Sequence, residues 1–250
     1  MLVEPVKPEP TDQRRGWRWA GVVFGLAFPS VVTWAYFIQA ADAAEGVQRG
    51  VMAMMKVIQF AFPFVWAALV LRERLGWPRA TTAGLGLGLA FGLAVTGVGW
   101  LIYAGWLQSS EFFLAAIGPI RAKVAAFGLD SVWEFVALGA FYSAVHSLLE
   151  EYYWRWFVFG QLQRLMRLWP AIVVSALGFM AHHVLVLSAY FGWWSWPTVL
   201  FSLSVGVGGA FWAWLYARSG SLLGPWLSHA VVDAGIFAIG HHLLRAALAS

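Results

Sequence analysis

Eight side chains in the C-terminal half of the sequence lie within stretches that are otherwise apolar. His146, Glu150, Glu151 and Arg155 fall in one stretch, His182 and His183 in a second, His229 and Asp233 in a third. A charge at the centre of a bilayer-spanning helix costs about 2.5–3.5 kcal/mol on insertion scales, so such groups must face one another or a wet cavity. One polar site shared by three helices satisfies that requirement. Its contents suit hydrolysis. A carboxylate partly desolvated in an apolar bundle is a stronger base, fit to activate water near neutral pH, and imidazoles beside it can share the proton or bind an anion.

Helical spacing sharpens the arrangement. Residues four apart lie nearly above one another, about 6 Å apart along the axis. His229 and Asp233 are then neighbours on one face, and so are Glu151 and Arg155. Glu150 is turned about 100° from Glu151. The two carboxylates are therefore expected to aim at different points, Glu151 at Arg155 and Glu150 at the histidines.

The elements that carry these residues must be membrane helices. The 250 residues are 61% hydrophobic and only 11% charged, where a soluble domain runs near a quarter charged. Lipid can cover that much apolar surface; a single soluble core cannot. The 17 tryptophans fit a chain with two wet interfaces. There is no cysteine, so disulfide and thiolate chemistry are excluded. The net charge of +4 is spread over short loops and reads as a topology signal, with no nucleic-acid partner implied.

A span needs about 20 apolar residues. Candidates run over Trp17 to Gln39, Val51 to Leu71, Thr82 to Leu107, Ser131 through the Glu150 region, Trp169 to Tyr190, Trp196 to Tyr216 and Leu222 to Ala246. The expected fold is an all-α polytopic transmembrane helix bundle of about seven spans over 14–250. A re-entrant or interfacial segment between Glu111 and Asp130 would make eight. Residues 1–13, with three prolines and several charges, are expected to form a disordered tail. Lys7, Arg14, Arg15, Arg18, Arg72, Arg74, Arg79, Arg155, Arg164, Arg167 and Arg218 fall at one end of this arrangement, Arg49, Arg121 and Lys123 at the other. The positive-inside rule then places the N-terminus in the cytoplasm. Gly84, Gly88 and Gly92 form one stripe of the third span, a surface for close packing in lipid.

Three motifs add a resemblance. Glu150-Glu151-Tyr152-Tyr153-Trp154-Arg155 matches the E-E-x-x-x-R signature of the CPBP family, the CAAX-protease-like (ABI) intramembrane endopeptidases. Phe179-Met180-Ala181-His182-His183 resembles its F-x-x-x-H motif, with His183 as the matching histidine. Ser221 to Pro225 followed by His229-Ala230-Val231-Val232-Asp233 is similar to its last motif, usually H-x-x-x-N. The resemblance implies an intramembrane endopeptidase with its core at about 131–246, embedded in lipid and acting on a membrane-anchored protein or peptide. Glu150 and His183 would activate the water, His229 and Asp233 would serve the oxyanion, and Glu151 with Arg155 would hold the geometry. Asp233 departs from the usual Asn. An ionised Asp only accepts hydrogen bonds, so it is expected to orient His229 from one turn away.

The resemblance implies no cofactor. Glu150, His183 and His229 are the ligand set if a metal is present, since one Glu and two His would satisfy an open zinc site; the H-E-x-x-H pattern is absent. His146 and His182 are expected to support Glu150 and His183, and Phe179 to pack against the His183 ring. Lys56 and Gln59 snorkel, pair locally or line the substrate entrance. Glu134 is read as solvated. Two rival functions share the inventory: a non-catalytic scaffold of the same fold, and a proton-coupled transporter, against which the lack of visible inverted repeats speaks. The compact chain without cysteine fits a prokaryotic cytoplasmic membrane.

Overall fold

The computed structural model describes residues 12–39, 44–73, 76, 81–126, 128 and 131–248. The chain is an all-α polytopic bundle, and no strand occurs among the described residues. Among the described residues seven helices are long and apolar enough to cross a bilayer: Asp12–Gln39, Gly46–Val70, Leu85–Ser109, Val132–Leu165, Leu168–Phe191, Trp196–Ser219 and Leu223–Leu243, here the first to seventh spans. A further helix, Glu111–Ala126, joins the third span to the fourth. Its 16 residues fall short of the roughly 20 that a crossing needs, so the count among the described residues stays at seven. Of the tail expected at 1–13, residues 1–11 lie outside the described residues, and Asp12 opens the first helix. Arg74, Arg79, Asp42 and Asp130 also lie outside them.

The bundle turns apolar side chains outward. Val57, Leu69, Leu101 and Ile236 are 61–75% exposed, which is the pattern of a protein whose solvent is hydrocarbon. Its interior is aromatic, built around Tyr153, Trp154, Phe157, Phe179 and Trp212.

Two local features fix the helices that carry the polar residues. Pro29 in the first span has no N–H, so the Gly25 carbonyl loses its helical partner. Tyr153 Oη donates to that carbonyl at 2.9 Å, tying the first span to the E-E-Y-Y-W-R stretch. On the other side, the glycine stripe of the third span lies against the seventh. A Cβ at Gly88 would strike the Gly224 carbonyl, and one at Gly92 would stand 2.8 Å from the Ser228 carbonyl. Thr96 Oγ1 continues the seam by donating to the Val231 carbonyl at 3.2 Å. Backbone meets backbone along the helix that bears His229 and Asp233.

The fourth span starts with a capping box. Ser131 accepts from the Glu134 N–H at 3.3 Å, and the Glu134 carboxylate accepts from the Ser131 N–H at 2.9 Å. Glu134 is exposed, as expected of a solvated acid, and it also closes a helix end. Further along, Tyr142–His146 and Tyr152–Phe159 are π-helical and flank the α-helical turn Ser147–Glu151. Such π segments are frequent at functional sites.

Candidate active site

Glu150 is 4% exposed, and imidazole nitrogens from three spans surround it. His146 Nε2 lies 4.0 Å from Oε1, His182 Nε2 lies 3.8 Å from the same oxygen, and His229 Nε2 lies 3.7 Å from Oε2. These separations exceed a hydrogen bond. They place a carboxylate among imidazoles without binding it firmly to any one of them, as catalytic groups often stand before substrate arrives.

Glu151 behaves differently. It is fully buried, with Oε2 3.1 Å from Arg155 Nε and Oε1 2.9 Å from His229 Nδ1. A carboxylate oxygen accepts, so His229 Nδ1 donates and its Nε2 is turned to Glu150 and to Asp233 Oδ1 at 3.7 Å. The two adjacent carboxylates, expected to aim at different points, thus address opposite nitrogens of one ring. Arg155 also donates to the Gly209 carbonyl at 3.3 Å, and its guanidinium lies 4.8 Å and 5.2 Å from the Phe179 and Trp212 ring centroids. Glu151 is held between Arg155 and His229; Glu150 faces three imidazoles with no partner closer than 3.7 Å.

The fifth span brings both of its histidines to this region. His182 is buried against Trp154 with near-parallel rings 5.7 Å apart, and it faces Glu150. His183 Nδ1 donates to the Phe179 carbonyl at 2.9 Å. A carbonyl only accepts, so His183 Nδ1 carries the proton and its Nε2 offers a lone pair. The rings of His182 and His183 stand 4.1 Å apart, and the Phe179 ring is 4.8 Å from that of His183. The named contact with Glu150 is therefore made by His182, while His183 presents the free acceptor.

Two tryptophans escaped the sequence reading. Trp212 stacks on His229 at 4.2 Å and 17°, and its Nε1 donates to Ser228 Oγ at 3.0 Å. Trp154 supports His182. The position of Trp154 one turn beyond Glu150 was a usable signal; Trp212 carried none among so many tryptophans. Among the described residues no three His, Asp or Glu side chains are arranged to hold a metal ion, the set Glu150, His183 and His229 included.

The segment that supplies all of these residues, 131–235, matches the family model described as type II CAAX prenyl endopeptidase Rce1-like. This segment is similar to that family. No curated protein and no solved structure matches the chain. The Rce1-like core begins at the capping serine, Ser131, and ends two residues past Asp233, so it holds the fourth to sixth spans and the first half of the seventh. The family implies a protease working in a lipid environment on membrane-anchored substrates. The first three spans lie outside the match, and the first and third pack against the matched segment through Gly25, Gly88 and Gly92.

Proposed function

We propose that the protein is an intramembrane endopeptidase in which Glu150 activates the attacking water. The observation that carries this reading is the contrast between the two neighbouring acids, Glu151 bound to Arg155 and His229, Glu150 loosely surrounded by three imidazoles. Glu150 takes a proton from water as the water oxygen bonds to the scissile carbonyl carbon. The carbonyl oxygen becomes an oxyanion, and His229 Nε2–H stabilises it when that ring is protonated. Glu150 then hands its proton to the departing amine as the C–N bond breaks. His183 Nε2 serves as a second acceptor that orients the water. Glu151 fixes the ring of His229, and Asp233 helps to orient it from one turn away. Disposition of the loop arginines supports a cytoplasmic N-terminus, and the compact cysteine-free chain supports a prokaryotic cytoplasmic membrane.

Asp233→Asn should retain activity well above the roughly 10²–10⁴-fold loss that removing an acid–base group brings. Inactivity in a folded variant would assign Asp233 an essential role. The function itself is tested with purified protein in nanodiscs and a panel of membrane-anchored peptides, assayed before and after exhaustive chelation. Cleavage undiminished by chelation is the expected result. Cleavage lost on chelation and restored by zinc would replace the glutamate scheme, and no cleavage of any peptide by folded protein would favour a scaffold.

A further inference from the structure

Lys56 lies in the interior of the second span, outside the Rce1-like match. Its ammonium sits over the Phe60 ring, 5.4 Å from the centroid. Phe60 stands edge-on to His146 at 5.9 Å, and His146 Nε2 faces Glu150. The ammonium is therefore one ring away from the polar core. A cation–π contact offsets only part of the cost of a charge inside a bilayer, and no described carboxylate forms an ion pair with Lys56. Gln59, three residues on and so on the same helix face, is 1% exposed, and its Oε1 has no hydrogen-bond partner. Pro63, one turn further, has no N–H to give the Gln59 carbonyl. A cation with no ion-pair partner among the described residues and a buried acceptor without a donor thus lie three residues apart on one helix face.

We propose that Lys56 and Gln59 form a subsite for a carboxylate of the substrate close to the scissile bond. The ammonium meets the carboxylate, and Gln59 Oε1 accepts the amide N–H of the same residue. The carboxylate comes either from the C-terminus of a short peptide tail or from an Asp or Glu side chain. The inference rests on the peptidase reading. Its rival is that Lys56 merely balances the acids Glu150, Glu151 and Asp233, with Arg155 and the four histidines 146, 182, 183 and 229 as the other charged or titratable groups of the core.

The test compares wild type, Lys56→Met, Lys56→Arg and Gln59→Leu on one cleavable peptide in three forms: carboxylates intact, C-terminus amidated, and acidic side chains replaced by amides. Lys56→Met should raise KM for the intact peptide by about tenfold with little change in kcat, since uniform binding is lost. Lys56→Arg should restore most of it, and Gln59→Leu should move KM the same way by less. One modified peptide should show the raised KM already with wild type and no further response to Lys56→Met. Which one does so identifies the source of the carboxylate. A fall in kcat shared by all three peptides, or a wild type indifferent to both modifications, would overturn the proposal. The same peptides titrated onto the Glu150→Gln protein give the Lys56 dependence as binding, so failure of cleavage and failure of the subsite are told apart.

Discussion

Replacing Glu150 by glutamine should lower kcat/KM by about 10²–10⁴-fold, the contribution of a positioned general base, and should leave the bundle folded. The substitution keeps shape and removes only the ability to take a proton. Its structural cost is expected to be small, because Glu150 makes no contact with its histidines shorter than 3.7 Å. Removing a charge from a buried site also spares its desolvation. The measurement is cleavage in nanodiscs alongside helical circular dichroism and a thermal melt. A Glu150→Gln protein that cuts within tenfold of wild type would remove Glu150 from the mechanism. One that melts far lower would give it a structural role that its loose contacts do not suggest.

Glu151→Gln should behave in the opposite sense, costing stability as well as activity. Glu151 is fully buried between Arg155 and His229. Its loss strands the Arg155 guanidinium, which is 1% exposed, and breaking one side of a buried pair costs about 3–5 kcal/mol. It also leaves His229 Nδ1 with a neutral amide oxygen in place of a charged acceptor, which weakens the hold on the tautomer that turns Nε2 to Glu150. A double variant, Glu151→Gln with Arg155→Met, separates the two effects. With both charges gone, much of the stability should return, while activity stays low because His229 is held by the weaker, neutral acceptor. Recovery of both together would make Glu151 only a counter-ion; a single variant as stable as wild type would show that the pair contributes nothing net.

Much of the architecture was readable from the chain because lipid imposes a simple rule, about 20 apolar residues for each crossing. The segment Glu111–Ala126 was ambiguous for the same reason, being apolar but too short. The helix faces were less legible. Spacing arguments assume 3.6 residues per turn, and the fourth span departs from that on both sides of Glu150, at Tyr142–His146 and Tyr152–Phe159. Pro29 announced an orphaned carbonyl at Gly25, but nothing local named Tyr153 as its donor. Ser131 with Glu134 was a visible capping box, overlooked because the acid was judged by its depth. The pairing of Glu151 with His229 depends on how the seventh span approaches the fourth, and that is set by the glycine stripe of a third helix.

That stripe has a mechanical consequence. Where Gly88 and Gly92 let carbonyls of the seventh span approach the third, there is no layer of side chains to shear, and sliding either helix would drive backbone into backbone. The two helices therefore move as one body, and His229 and Asp233 travel with the third span. Any widening of the gap between Glu150 and His229 to admit a polypeptide is a displacement of the fourth span against that fixed pair, hinged where its winding is already loose.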